Sequence, residues 1–331
     1  MATWWIRFGA VTLALAACNG GGDDPSDESD ADADADADAD SDADPVAVDL
    51  DGVVAGSHDG VPVELERTNH VSVEVSALGG AKLHFFVDSG ASTTVLTEQT
   101  AAALGISGPL GTPVQANGLT VGGYPIAPTT TVILDLDATN AGLSASGEQP
   151  IDGILGAPFL NAHAAVLSYP DATLYLSDDA PRDLGDTIAD ALDAGGYDTI
   201  DASVNLVQFV AVDGALDGAP VSGIVDTGAG GSLVELAAAT RLGLTLEPAP
   251  IGAATIGGAV DTYQTTVGEF VIGADHTLTD RSLLVVDLGG INSQLGGVGL
   301  PPIEILVGGD VLIEQDAVLD YNGERLFLRP E

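Results

Sequence analysis

The sequence holds one cysteine, Cys18, and one lysine, Lys82, and its eight basic residues face fifty acidic ones, for a net charge of −42. A single thiol rules out an internal disulfide. A surface this acidic repels phosphate backbones and anionic headgroups, so nucleic acid is not an expected partner. The histidines, His58, His70, His84, His163 and His276, are scattered, with no pair at helical or zinc-ligand spacing. Neither a metal nor any other cofactor is therefore expected. There is no Gly-x-Ser-x-Gly elbow for a serine nucleophile, and no glycine-rich phosphate loop between a strand and a helix. Beyond residue 18 no apolar run approaches the length that spans a bilayer.

What is present begins with residues 1–18, MATWWIRFGAVTLALAAC. One positive charge, Arg7, precedes an apolar run from Phe8 to Ala17 that ends in small residues, the pattern of a secretory signal. Leu15-Ala16-Ala17-Cys18 resembles the bacterial lipobox, in which the cysteine is lipidated and becomes the new N-terminus. The alternative is an ordinary signal peptide that contains a cysteine. On the lipobox reading, Cys18 is the lipidation site and the membrane is a partner through a lipid anchor. The protein is then exported and held in the cell envelope. Asn19 after the cysteine points to the outer membrane by analogy with enteric bacteria. Residues 19–45 are an Asp/Ala-rich, low-complexity stretch without large apolar side chains. They bury too little surface to offset chain entropy, and a disordered, charge-extended tether is expected.

From residue 60 onward, short runs rich in Val, Ile, Leu, Thr and Phe alternate with Gly, Pro, Asn and Asp, as in HVSVEV, LHFFV, TTTVILDL, GEFVIG and RLFL. That pattern predicts an all-β architecture with few short helices. Two helices are expected, in TEQTAAALG and LVELAAATRLG, and a third in LGDTIADALDAGG. The chain repeats itself. A shift of 138 lays 87–106 over 225–244, and a shift of 152 lays 153–176 over 305–328. The second copy therefore carries extra residues between its two motifs, with the Gly-rich DLGGINSQLGGVGLPP as the expected insertion. The expected layout is a first lobe over 46–180, a linker over 181–195 and a second lobe over 196–331. The two lobes are expected to pair about a pseudo-twofold axis within one chain, making a monomer with an internal pseudo-dimer.

Each copy contains an apolar strand running into an aspartate, a small hydroxyl residue and glycine: Val87-Asp88-Ser89-Gly90-Ala91 and Val225-Asp226-Thr227-Gly228-Ala229. If the copies pack about a twofold axis, Asp88 and Asp226 meet there. Two carboxylates in contact cannot both ionise easily, so they share a proton, and one can act as general base while the other is general acid. Each motif is followed downstream by an apolar triplet ending in glycine, Ile154-Leu155-Gly156 and Leu306-Val307-Gly308.

On these residues each half resembles a retropepsin-type aspartic protease unit, over roughly 60–178 and 196–331. The resemblance implies two β-barrel lobes with a central cleft, and an aspartic endopeptidase acting on an extended peptide or unfolded protein. Asp88 and Asp226 would be the catalytic pair. Ser89 and Thr227 would form the hydroxyl network beneath them, and Gly90 and Gly228 would let substrate and water approach. Flap candidates are the Gly-Gly turns at Gly122 and Gly123, with Tyr124 beside them, and at Gly257 and Gly258, with Tyr263 beyond. An ordinary strand aromatic is the competing reading for either tyrosine. His84, four residues before Asp88, is a candidate modulator of the pair. Ser92 and Gly230 stand where retroviral enzymes carry a substrate-contacting Asp, so substrate grip is expected to differ. A second reading keeps the same architecture without chemistry, as a surface-tethered β-barrel binding or adhesion lipoprotein.

Overall fold

The computed structural model describes residues 48–127, 131–181, 184–249, 253–255 and 258–330, together with the two-residue strand β1 (Leu13–Ala14). Cys18, the tether at 19–45 and Gly257 lie outside the described residues.

Helix α1 (Leu50–Val54) precedes the first half. That half runs β2 (Asp59–Leu65), β3 (Val71–Ser76), β4 (Lys82–Asp88), β5 (Thr94–Thr97), α2 (Glu98–Ala103), β6 (Pro113–Val114), β7 (Thr120–Val121), β8 (Tyr124–Pro125), β9 (Thr131–Leu134), α3 (Asp137–Ala145), β10 (Gly153–Gly156), α4 (Ala157–Ala162), β11 (Val166–Ser168) and β12 (Thr173–Leu176). Helix α5 (Leu184–Ala194) follows. The second half runs β13 (Asp198–Asp201), β14 (Ser203–Val204), β15 (Val210–Leu216), β16 (Ala219–Val225), β17 (Leu233–Glu235), α6 (Leu236–Leu242), β18 (Glu247–Pro248), β19 (Ala253–Thr255), β20 (Gly258–Val260), β21 (Thr262–Ile272), β22 (His276–Val286), α7 (Gly289–Gly297), β23 (Ile305–Val307), α8 (Gly309–Glu314), β24 (Val318–Asp320) and β25 (Arg325–Leu328).

The architecture is mostly β with short helices, as the alternation of β-prone runs and turn residues predicts. The two halves follow one plan. In the first, β10 lies parallel to β4 with Gly156 opposite Asp88; in the second, β23 lies parallel to β16 with Val307 opposite Val225. A shared sheet of order β13-β25-β24-β11-β12-β2 joins them. At its centre β11 pairs antiparallel with β24, with Leu167 opposite Leu319, residues that the repeat makes equivalent. One apolar cluster runs through both halves, from Val71, Phe85 and Leu155 to Val225, Val285 and Ile305. Burying such a continuous apolar surface is the main term holding the halves together.

Three features differ from the sequence reading. Helices α3, α4, α7 and α8 were not expected, nor was α1. The short ones, α4 and α8, have six residues each, too few for periodicity to separate helix from strand. The stretch between the halves is more than a connector. Its helix α5 packs Ile188 and Leu192 with Leu50 and Val54 of α1 and with Tyr175, Val318 and Phe327 of the shared sheet.

DLGGINSQLGGVGLPP is not the insertion. It forms α7, the counterpart of α3, and both helices are clamped alike. Asn140 exchanges hydrogen bonds with the backbone of Ile151 (3.0 and 2.8 Å), and Asn292 does the same with Ile303 (2.9 and 2.7 Å). The extra residues lie earlier, in the long hairpin β21–β22 and the smaller hairpin β19–β20 that precedes it. Glycine content marked this segment as the insertion, but the Asn292 clamp shows it to be the counterpart of α3.

Candidate active site

Strand β4 ends at Asp88, and β16 ends one residue before Asp226. Each aspartate opens a tight turn closed on its own carboxylate: Gly90 N–H donates to Asp88 Oδ1 (2.8 Å) and Gly228 N–H to Asp226 Oδ1 (3.0 Å). The turns then lock across the halves. Ser89 N–H donates to Thr227 Oγ1 (3.0 Å), and Thr227 N–H to Ser89 Oγ (2.9 Å). The hydroxyls go on to donate across the interface, Ser89 Oγ to Val225 O (2.8 Å) and Thr227 Oγ1 to Val87 O (2.7 Å). Four buried hydrogen bonds, reciprocal in pairs, fix the two turns against each other.

This grip brings the two carboxyls together. A methyl group at Gly90 would sit 2.5 Å from Asp226 Cγ, and one at Gly228 would sit 2.5 Å from Asp88 Oδ2. Each glycine is thus the floor on which the opposite carboxylate rests, a tighter demand than access for substrate. Both aspartates are fully buried. Asp226 Oδ2 has no hydrogen-bond donor among the described residues. Burial, then the charge and hydrogen bond of Asp88, push the Asp226 carboxyl well above the usual range, against the opposing pull of the Gly228 and Ala229 amides. The pair is an arrangement that can hold one proton between two carboxyls.

The apolar triplets brace the turns from below. Ala157 N–H donates to Ala91 O (2.9 Å) and Gly309 N–H to Ala229 O (2.7 Å). In the second half Asp310 Oδ1 also accepts from Ser232 N–H and Oγ (both 2.7 Å), and Ser232 Oγ accepts from Gly308 N–H (2.9 Å). Ser232 was missed from the sequence; the acidic residue two places after Val307-Gly308 was its signal. Two more residues went unrecognised, Tyr169 and Tyr321, which occupy equivalent places at the ends of β11 and β24. Both are buried with no partner for their hydroxyls among the described residues. Burial, then the nearby aspartate charges, raise both phenols far above their ordinary range, so they stay neutral.

The flap candidates divide. Gly122, Gly123 and Tyr124 are not brought to the pair. Their turn joins β7 and β8, and β7 pairs with β3 at Ser76, whose other neighbour is Lys82, at the far end of β4 from Asp88. Leu119 and Val121 are buried in the core, a methyl group at Gly122 would meet Val61, and Tyr124 Oη donates to Asp59 Oδ2 (2.8 Å). In the second half Gly258 opens β20 of the hairpin β19–β20, and Gly257 lies outside the described residues. That hairpin rises from the β18–β21 ladder, lies against α3 of the other half, and carries β1 as an added antiparallel strand on β19. Tyr263 packs on the main core. His84 does not reach the pair either: its Nε2 meets Glu66 Oε1 (3.1 Å) and its Nδ1 meets Pro150 O (3.3 Å).

Two cavities, of about 850 and 730 Å³, lie away from the aspartates. The first is beside Asp198, Asp213 and His276, the second beside Glu74, Lys82 and His84. Among the described residues no three His, Cys, Asp or Glu side chains are grouped to hold a metal ion. No helix among them is long and apolar enough to cross a membrane.

Comparison with known proteins assigns the same class to both halves. Residues 73–162 match the family described as gag-polyprotein aspartyl protease, and residues 212–311 match the family described as aspartyl protease. Two aspartyl protease family models thus match in tandem, one in each half. A retropepsin-like aspartic protease from Rickettsia conorii is similar at 18% identity, over 40% of this chain and 90% of that one, with a TM-score of 0.28. An aspartic proteinase from Irpex lacteus is similar at 14% identity, over 83% of this chain and 97% of that one, with a TM-score of 0.43. No curated protein matches the chain.

Proposed function

We propose that the protein is an aspartic endopeptidase that hydrolyses peptide bonds with one aspartate from each half. The carrying observation is the reciprocal seat of the two carboxyls, each lodged on the other half's glycine. One proton is shared by the pair. The ionised carboxyl takes a proton from a water as that water's oxygen attacks the peptide carbonyl carbon. The protonated carboxyl gives its proton to the carbonyl oxygen. Collapse of the tetrahedral intermediate breaks the C–N bond, the nitrogen leaves protonated, and the pair again holds a single proton. The Ser89–Thr227 grip holds both acids at one separation throughout, which is the preorganisation such a step needs.

The substrate is a peptide or unfolded segment in extended form, which the aspartyl protease matches support. The hairpin β19–β20 is the element that covers it and must open for entry, because both carboxyls are buried. Export and lipid anchoring at Cys18, with the protein held in the envelope, is the accompanying proposal from Leu15-Ala16-Ala17-Cys18; incorporation of labelled fatty acid, lost in Cys18→Ala, tests it. For the activity, the purified full chain is incubated with an unfolded protein from acidic to neutral pH, beside Asp88→Asn. Fragments with wild type alone are expected. Equal inertness of the two proteins at every pH would leave a binding scaffold instead.

A further inference from the structure

A loop of the first half reaches across to the second half's aspartate turn, and the sequence leaves room for it. Residues 66–70 form a turn closed by Asn69 N–H to Glu66 O (3.0 Å) and Glu66 N–H to His70 O (2.8 Å), with Asn69 in the left-handed region at φ 63°. From there Asn69 Nδ2 donates to Gly230 O (3.0 Å). A methyl group at Gly230 would run into Thr68 O, and one at Gly309 would run into Asn69 O. The equivalent positions in the first half are Ser92 and Ala157, which keep their side chains. Glycine at 230 and 309 therefore answers to this loop and not to the repeat. Buried His70 seats the loop from behind, stacked on Phe86 at 4.6 Å and 8°, with its Nδ1 on Thr68 Oγ1 (2.8 Å).

The loop is held in turn by two acids of its own half. Glu148 Oε1 accepts from Thr68 N–H (3.1 Å). Glu66 Oε1 accepts from Ser72 Oγ (2.6 Å) and meets His84 Nε2 (3.1 Å). The Glu66 and Glu148 carboxyls act on each other's titration. Burial, then the hydrogen bond and charge of Glu66, push Glu148 up to about 7. Burial pushes Glu66 upward as well, but bonds from Glu148, Ser72 and His84 outweigh it and leave it lowered. The other ionisable groups around the pair are Arg67 and His70 on the loop, His84 on β4, and Asp152 just before β10, which accepts from His84 N–H (2.9 Å).

We propose that loop 66–70 is a cross-half positioning element: Asn69 fixes the Asp226–Gly230 turn, and Glu148, through Thr68 N–H, fixes the loop. The kinetic consequence rests on the proteolytic reading; the structural one rests on the loop geometry alone. Loss of the Thr68 bond to Glu148 frees the loop and loosens the turn.

Asn69→Gly keeps the left-handed backbone and removes only the amide. Its kcat is expected to fall about 3- to 10-fold with KM nearly unchanged, the worth of one hydrogen bond. Amide hydrogen exchange at Gly228 and Gly230 is expected to quicken. Glu148→Gln keeps an acceptor for Thr68 and donates permanently to Glu66. Glu148→Ala, which removes that acceptor, is expected to quicken exchange at Gly228 and Gly230, and Glu148→Gln to leave it near wild type. Wild-type kcat and exchange in Asn69→Gly, or wild-type exchange in Glu148→Ala, overturns the proposal. Should even the wild type fail to cleave, the proteolytic reading falls by itself and exchange alone decides the loop.

Discussion

At the residue scale the two aspartates carry opposite demands of stability and chemistry. Asp226 binds its proton more tightly folded than unfolded. The stability it lends is therefore full below its ordinary value of 3.8 and is lost as pH rises from there toward its folded value. Asp226→Asn removes that liability. Its melting temperature should exceed wild type at neutral pH, the gap should close below pH 3.8, and proteolysis should be lost. A gap of the same size at both pH values, or a loss at neutral pH, would show that the carboxyl is not held protonated. The identity of these residues was legible in the sequence because the triplet occurs twice in register. The use of Gly90 and Gly228 was not: that each supports the other half's carboxyl depends on a contact between residues more than a hundred positions apart. Gly230 stood out for a missing side chain, but the loop that excludes one came from the other half.

At the element scale the repeat revealed more than the composition did. β3, β4, β9, β12, β21 and β25 fall where their apolar runs lie, and α2 and α6 follow their motifs as expected. Helix α2 is capped by Thr97 Oγ1 accepting from Thr100 N–H (3.0 Å), and α6 by a Glu235 carboxylate oxygen accepting from Ala238 N–H (2.8 Å). The failures, the α7 segment and the first Gly-Gly turn, share a cause. Glycine marks a turn without saying which end of a strand it closes. The element proposed to cover the site is the hairpin β19–β20 of the second half. Removing residues 254–259 should lower kcat/KM by about 100-fold, because the site would no longer exclude water or grip the peptide backbone. The melting temperature should stay near wild type. Undiminished kcat/KM would show that substrate is covered by something else.

At the scale of the whole molecule, the chain places two protease-type domains against a shared sheet centred on β11 and β24. Symmetry at that ladder and at the Ser89–Thr227 grip coexists with asymmetry around it: the hairpin β19–β20, the 66–70 loop and the Asp310 brace each belong to one half. The halves are therefore specialised, and neither alone offers two aspartates. Overall class was readable from duplicated short motifs, which need only local pattern. The division of labour between halves was not, since it is written in contacts the repeat does not preserve. The most direct test is calorimetric binding of a statine-type peptide, whose hydroxyl is made to sit between two carboxyls sharing a proton. Binding to the wild-type chain, abolished in both Asp88→Asn and Asp226→Asn, is predicted. Equal binding to all three proteins, or none to wild type, would contradict a shared-proton site at Asp88 and Asp226.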